Sequence, residues 1–167
     1  MERKLKLDRI DVKILATLQG EARITNHDLA ERVHLSPSSC LQRVRKLEQA
    51  GVLTSYHARI DLQRICRSVT VIAEVQLNNH EQEDFKRFEA AVREIPEAIE
   101  CLKVSGTFDY IVRFVCPDMA QYHALTEQLL DTGRGVAHLS SHVVLARCKD
   151  EDGFPLEPLL QPENGDS

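Results

Sequence analysis

The 167 residues allow one ordinary domain or two small ones, and no apolar run approaches the roughly 20 residues that span a bilayer. The formal net charge of −5 is unevenly placed: residues 1–60 carry 11 Lys and Arg against 7 Asp and Glu (net +4), and residues 61–167 carry 10 against 19 (net −9). A basic first third ahead of an acidic remainder suits a DNA-contacting module joined to a part that avoids DNA.

From Asp8 to Gly20, Ile10, Ile14, Leu15 and Leu18 recur at helical spacing, with Gly20 as the stop. Thr25 three residues ahead of Asp28 resembles a capping box and opens a second helix, whose inner face is Leu29, Ala30 and Val33. His34-Leu35 is a tight turn. Ser36-Pro37 then supplies an N-cap hydroxyl and a proline at the first helical position, where its missing N–H costs nothing. The third helix runs to about Ala50, with Cys40, Leu41, Val44 and Leu47 inward and Gly51 ending it. Three short helices with a brief turn between the last two form a helix-turn-helix. Leu53 to Ile60 alternates, which predicts a β-ribbon, the wing of a winged helix-turn-helix spanning residues 1–60. Residues 61–68 read as a hinge.

The second half changes rhythm. Val69–Leu77 is β-rich, and Glu81–Glu94 is helical with a stripe of Phe85, Phe88, Ala91, Val92 and Ile95, broken by Pro96. Ile99–Ser105 and Phe108–Cys116 read as strands around a Gly106-Thr107 turn. A second helix starts at Pro117-Asp118 and runs to about Leu130, with its exit at Gly133 and Gly135, and Val136–Cys148 closes as a strand. The order β-α-β-β-α-β over residues 69–148 is that of a ferredoxin-like sandwich, so the chain as a whole is α+β. Such a sheet leaves one face open, and much of what points there is apolar, so pairing of two copies through it is expected. Residues 149–167, with six acidic residues and three prolines after Lys149, read as a disordered acidic tail.

The N-terminus, Met1-Glu2-Arg3-Lys4-Leu5-Lys6, lacks the apolar stretch of a secretory signal, so a cytoplasmic protein is expected. Five widely spaced cysteines form no C-x-x-C pair, which argues for reduced thiols over a disulfide framework, zinc site or redox sensor. The seven histidines read as dispersed, with neither the H-x-x-x-H nor the H-E-x-x-H spacing of a helical zinc site, and Gly133-Arg134-Gly135 is too short for a phosphate cradle. No catalytic set, metal site or cofactor is expected.

A recognition helix reads base edges with its N-terminal half, on the face opposite its core stripe. On the third helix that face carries Ser38, Ser39, Gln42, Arg43, Arg45, Lys46 and Gln49. Gln42 could pair with adenine and Arg43 with guanine, while Ser38 and Ser39 suit bases or phosphates. Arg45 and Lys46 lie further along and are better placed for phosphates.

The run Leu7-Asp8-Arg9-Ile10-Asp11-Val12-Lys13-Ile14-Leu15, then Leu35-Ser36-Pro37-Ser38-Ser39-Cys40-Leu41-Gln42-Arg43-Val44-Arg45-Lys46-Leu47-Glu48, resembles the Lrp/AsnC family, the "feast/famine" regulators. Val104-Ser105-Gly106-Thr107-Phe108-Asp109-Tyr110, followed by Pro117-Asp118-Met119, resembles that family's effector domain. The resemblance covers roughly residues 7–148. It implies a regulator of transcription, not an enzyme, that binds a double-stranded operator and responds to an amino acid or related metabolite. It further implies homodimers assembling to tetramers or octamers, with the effector held between neighbouring domains. Carried over, the effector residues are Gly106, Thr107, Phe108, Asp109 and Tyr110, with Met119, His142 and Val143. Asp109 would meet an α-ammonium group, or would instead cap backbone amides as an ordinary turn carboxylate. Thr107 stands where family members often carry Asp or Glu, and His142 where the leucine-type regulator has Tyr, so the effector stays unnamed. Haem-pathway decarboxylases resemble the same two-domain plan, but the intact basic helix and few arginines in the second half favour a regulator.

Overall fold

The computed structural model describes residues 5–131, 135–150 and 153–160, and it divides into two compact units. One comprises residues up to Arg59 together with those from Lys149 onward; the other is Ile60–Cys148.

The first unit is built from α1 (Arg9–Gly20), α2 (Asn26–Arg32) and α3 (Pro37–Gln49). Ile14, Leu15, Leu18, Leu29, Ala30, Val33, Cys40 and Leu47 form its core. Helix α1 begins with a reciprocal cap: the Asp8 carboxylate accepts the N–H groups of Ile10 and Asp11, and the Asp11 carboxylate accepts that of Asp8. Thr25 caps α2 through the Asp28 N–H, but the Asp28 carboxylate returns to the Thr25 hydroxyl rather than to its backbone. The turn to α3 places His34 at φ 57°, a left-handed conformation in which glycine is usual. Helix α3 ends as expected: Gly51 sits at φ 67°, its N–H donates to Glu48, and that of Val52 donates to Leu47, a Schellman closure.

Two expectations for this unit need correction. Residues 53–60 alternate in sequence but form no strand, because no strand among the described residues pairs with them, and most of their side chains are exposed. A strand exists through its ladder, which alternation alone does not supply. The tail is also not featureless. Leu156–Leu160 forms a short helix, α6 in chain order, and Leu156 packs against the first unit's core. Gln19 on α1 holds the backbone of Phe154 twice, accepting its N–H at 2.7 Å and donating to its carbonyl at 3.2 Å.

In the second unit a 3₁₀ turn at Leu62–Arg64 occupies the expected hinge. It leads into β1 (Val69–Leu77), α4 (Gln82–Arg93), β2 (Ala98–Lys103), β3 (Tyr110–Cys116), α5 (Met119–Asp131) and β4 (Val136–Val143). The order β-α-β-β-α-β is as read, and the antiparallel sheet runs β2-β3-β1-β4. Strand β4 stops at Val143, short of Cys148, and the expected helix exit at Gly133 lies outside the described residues. Alternate residues of β1 (Val71, Ala73, Val75, Leu77) and β3 (Tyr110, Val112, Phe114, Cys116) are buried with Phe88 and Val92 of α4 and Tyr122, Leu125 and Leu129 of α5. Aromatic pairs tighten this core: Phe88 and Tyr110 have ring centroids 4.6 Å apart, and Phe114 and Tyr122 meet edge-on at 5.5 Å.

The face away from the helices is mixed rather than apolar. Ile72, Ile111 and Val115 share it by register with two charged pairs, Arg113 with Glu100 (3.3 Å) and His142 with Glu74 (3.4 Å). Arg113 Nε is buried and, among the described residues, makes no hydrogen bond, its approach to Glu100 lacking the geometry for one.

Candidate functional site

Helix α3 is placed by local chemistry at its start. The Ser36 hydroxyl accepts the Ser39 N–H, Pro37 occupies the first turn, and Asn26 of α2 donates to the Pro37 carbonyl at 2.8 Å. Cys40 and Leu47 are buried and Val44 half-buried, which turns Ser38, Ser39, Gln42, Arg45 and Lys46 out to solvent. Leu41, expected inward, is 38 % exposed. The exposed set is the one the helical period requires: short hydroxyls in the first turn, an amide one turn later, and two cations beyond it. The Ser38 and Ser39 hydroxyls both lie within hydrogen-bond distance of that of Ser36.

Arg43 differs from its neighbours. Its Nη1 lies 2.7 Å from Asp8 Oδ2 and 2.7 Å from Asp11 Oδ1, so the guanidinium is engaged across to α1 rather than free on the helix face. The backbone N–H of Asp11 and then Arg43 hold the Asp8 carboxyl below its ordinary value of 3.8, and the two carboxylates raise Arg43 in turn. The D-x-x-D spacing ahead of an apolar run signals the cap, but nothing local signals that Arg43, 32 and 35 positions away, would close on it.

The β2–β3 loop carries the first group of expected effector residues. Gly106 takes φ 123°, Thr107 is exposed and Phe108 half-buried. Asp109 is committed to the fold: one carboxylate oxygen accepts the Leu77 N–H at 2.8 Å, the other lies 3.1 Å from His80 Nε2, and its own N–H donates to Val75. Both oxygens thus have partners within the chain, the arrangement of a turn carboxylate. The Tyr110 side chain is buried, its hydroxyl donating to Glu89 on α4 at 2.6 Å, so it does not line the loop. Burial first, and then the bond to Glu89, push its phenol well up.

The remaining effector residues sit elsewhere. Met119 opens α5, three residues after Cys116, which pairs with Val69 at the start of β1. His142 pairs with Ile72 and Val143 with Val71, on opposite faces of β4. The loop, by contrast, adjoins Val75 and Leu77 at the far end of β1. At roughly 3.4 Å per residue, Ile72 lies about 10 Å from Val75 and about 17 Å from Leu77, which sets the two groups apart along the sheet of one chain.

Other chemistry is sparse. His138 and His142 do share an H-x-x-x-H spacing, but on a strand it puts them about 14 Å apart instead of converging them as on a helix. Among the described residues no group of three or more His, Cys, Asp or Glu side chains could hold a metal ion. The five thiols are free, and burial pushes those of Cys40, Cys101 and Cys116 upward, away from thiolate reactivity. No described helix is long and apolar enough to cross a membrane.

Comparison with known proteins agrees with both halves. Residues 7–54 match the winged helix-turn-helix DNA-binding family, and residues 70–154 match the Lrp/AsnC ligand binding domain. The chain is 39 % identical to the transcriptional regulatory protein DoeX of Halomonas elongata over 145 residues, covering 87 % of this chain and 92 % of that one. It is 39 % identical to the leucine-responsive regulatory protein of Escherichia coli over 146 residues, covering 87 % and 89 %. Among solved structures it superposes on a Neisseria meningitidis transcriptional regulator in complex with L-Met, at TM-score 0.85 and 34 % identity, covering 93 % of this chain and all of that one. An AsnC family regulator of Agrobacterium tumefaciens gives 0.84 and 34 %, covering 92 % of this chain and all of that one. With a helix-turn-helix presenting a basic helix face and an antiparallel sandwich behind it in sequence, this chain belongs to the Lrp/AsnC family of transcriptional regulators, pairing a DNA-binding domain with a ligand-binding domain.

Proposed function

We propose that α3 lies in the major groove of a double-stranded operator, with Ser38, Ser39 and Gln42 toward the base edges and Arg45 and Lys46 on phosphates. The observation that carries this is the exposed polar and basic face of α3, turned outward by the buried Cys40 and Leu47. The signal is an amino acid or a related metabolite, needing no further cofactor. The site is shared between copies: the Gly106–Asp109 loop of one effector unit meets Met119, His142 and Val143 of another. The separation of those two groups along β1 supports that sharing. Dimers form through the open sheet face, with ion pairs as well as aliphatic side chains at the contact, and assemble further to tetramers or octamers in the cytoplasm. The ligand acts by favouring one assembly or inter-dimer arrangement over another.

Selection of duplexes from a random-sequence library by the full-length chain, followed by fluorescence anisotropy at several salt concentrations, tests the DNA half. A selected duplex should bind at least about a thousandfold more tightly than random DNA. Lys46→Ala should weaken both and lower the salt slope by about one. A chain that enriches no sequence overturns the reading.

A further inference from the structure

We propose that Arg43 is a positioning residue, which seats α3 through Asp8 and Asp11 and leaves base reading to its exposed neighbours; this rests on the DNA-binding reading of α3. Each carboxylate divides its oxygens between two tasks. Asp8 Oδ1 caps α1 by accepting the Ile10 and Asp11 N–H groups, while Asp8 Oδ2 takes the Arg43 Nη1. Asp11 Oδ2 accepts the Asp8 N–H, while Asp11 Oδ1 takes the same Nη1. The first turn of α1 and the middle of α3 are thereby joined at one guanidinium nitrogen.

Swinging Arg43 toward a base would take the cation from both carboxylates; Asp8 is half exposed, but the Asp11 side chain is only 10 % exposed. An unpaired charge that deep is costly, which holds the arginine where it is. The geometry also has a consequence for reading. Successive residues of a helix are turned by about 100°, so fixing Arg43 against α1 fixes the direction in which Gln42 leaves the helix. The same two carboxylates place negative charge beside the DNA-facing helix, an electrostatic disadvantage offset by the orientation they impose.

The opposed readings predict opposite signs. If Arg43 reads a base, Asp8→Asn or Asp11→Asn frees it and removes a negative charge, so binding holds or tightens. If Arg43 positions α3, both variants weaken the selected duplex relative to random DNA. Asp8→Asn is the cleaner probe, because asparagine caps a helix about as well as aspartate and the fold is kept. Using the duplex enriched by the wild-type chain, each variant should lower the ratio of selected-to-random affinity by about threefold. Arg43→Ala should lower it equally for every single-base variant of the duplex, leaving the shape of the preference profile unchanged. A ratio unchanged or raised in Asp8→Asn, or a profile that Arg43→Ala flattens at one base pair, overturns the positioning role alone. A wild-type chain that enriches no duplex overturns the DNA-binding reading, and this proposal with it.

Discussion

Replacing Asp109 distinguishes a carboxylate that holds the fold from one that holds a ligand. In the structure it accepts the Leu77 N–H at 2.8 Å from a side chain only 16 % exposed, so alanine leaves a partly buried amide without a partner. Such an orphan costs roughly 1–3 kcal/mol. The pair with His80 adds at most a few tenths of a kcal/mol, because that histidine is 60 % exposed and solvent screens the interaction. Asp109→Ala should therefore destabilise the effector unit by about 2 kcal/mol, a fall of about 8–16 °C in melting temperature for a unit of this size. Asn retains an acceptor for the Leu77 N–H, so Asp109→Asn should cost less than about 1 kcal/mol. Differential scanning calorimetry of both variants without added ligand reads this directly. The reasoning fails if Asp109→Ala melts with the wild type yet loses stabilisation by an amino acid that protects the wild type, since that pattern belongs to a carboxylate spent on the ligand.

Three further outcomes follow from local geometry. Ser36→Ala removes the cap of α3 and should cost about 1 kcal/mol by thermal unfolding, whereas Ser36→Gly should cost only a few tenths. The carboxyl of Asp8 is held below 3.8 in the folded chain, so its contribution is present above that pH and is lost as pH falls through the lower, folded value. Acid unfolding curves should show this dependence reduced in Asp8→Asn. Leu156→Ala, at the contact of α6 with the first core, should lower thermal stability by about 1 kcal/mol, and equal melting of the two proteins would remove α6 from the fold's support.

What was legible in the sequence is what local chemistry decides. The Ser36-Pro37 start of α3, its Gly51 end and the 3.6-residue stripes of α1 and α4 each depend on residues within a turn or two, and all appear where the pattern puts them. The misses are non-local. Residues 53–60 alternate as a ribbon would, yet pairing is a property of a partner segment. The tail has the composition of a disordered segment, but the two hydrogen bonds tying Phe154 to Gln19 span 135 positions. For the site, the exposed face of α3 could be read from its period, while the partners of Arg43 and Asp109 could not. Leu77 lies 32 residues before Asp109, and only the antiparallel register brings them together.

The register also bears on how a signal could travel. Val71 of β1 pairs with Val143 of β4, so the start of β1 and the end of β4 lie at one end of the sheet. The chain enters the effector unit just before that end, through residues 60–68, and returns to the first unit just after it, at Lys149. His142 and Val143 lie at this same end by register, on opposite faces of the sheet, and Met119 follows the end of β3 there, while the Gly106–Asp109 loop lies at the other end. In the proposed shared site, a ligand therefore grips one copy where both of its covalent connections to the DNA-binding unit begin, and a second copy through a loop braced by Asp109. A ligand bound equally well by every arrangement of the copies would shift nothing. One that needs the loop of one copy against the sheet end of another would favour the arrangement that supplies both, and on the proposed function this would couple effector binding to the assembly that meets DNA.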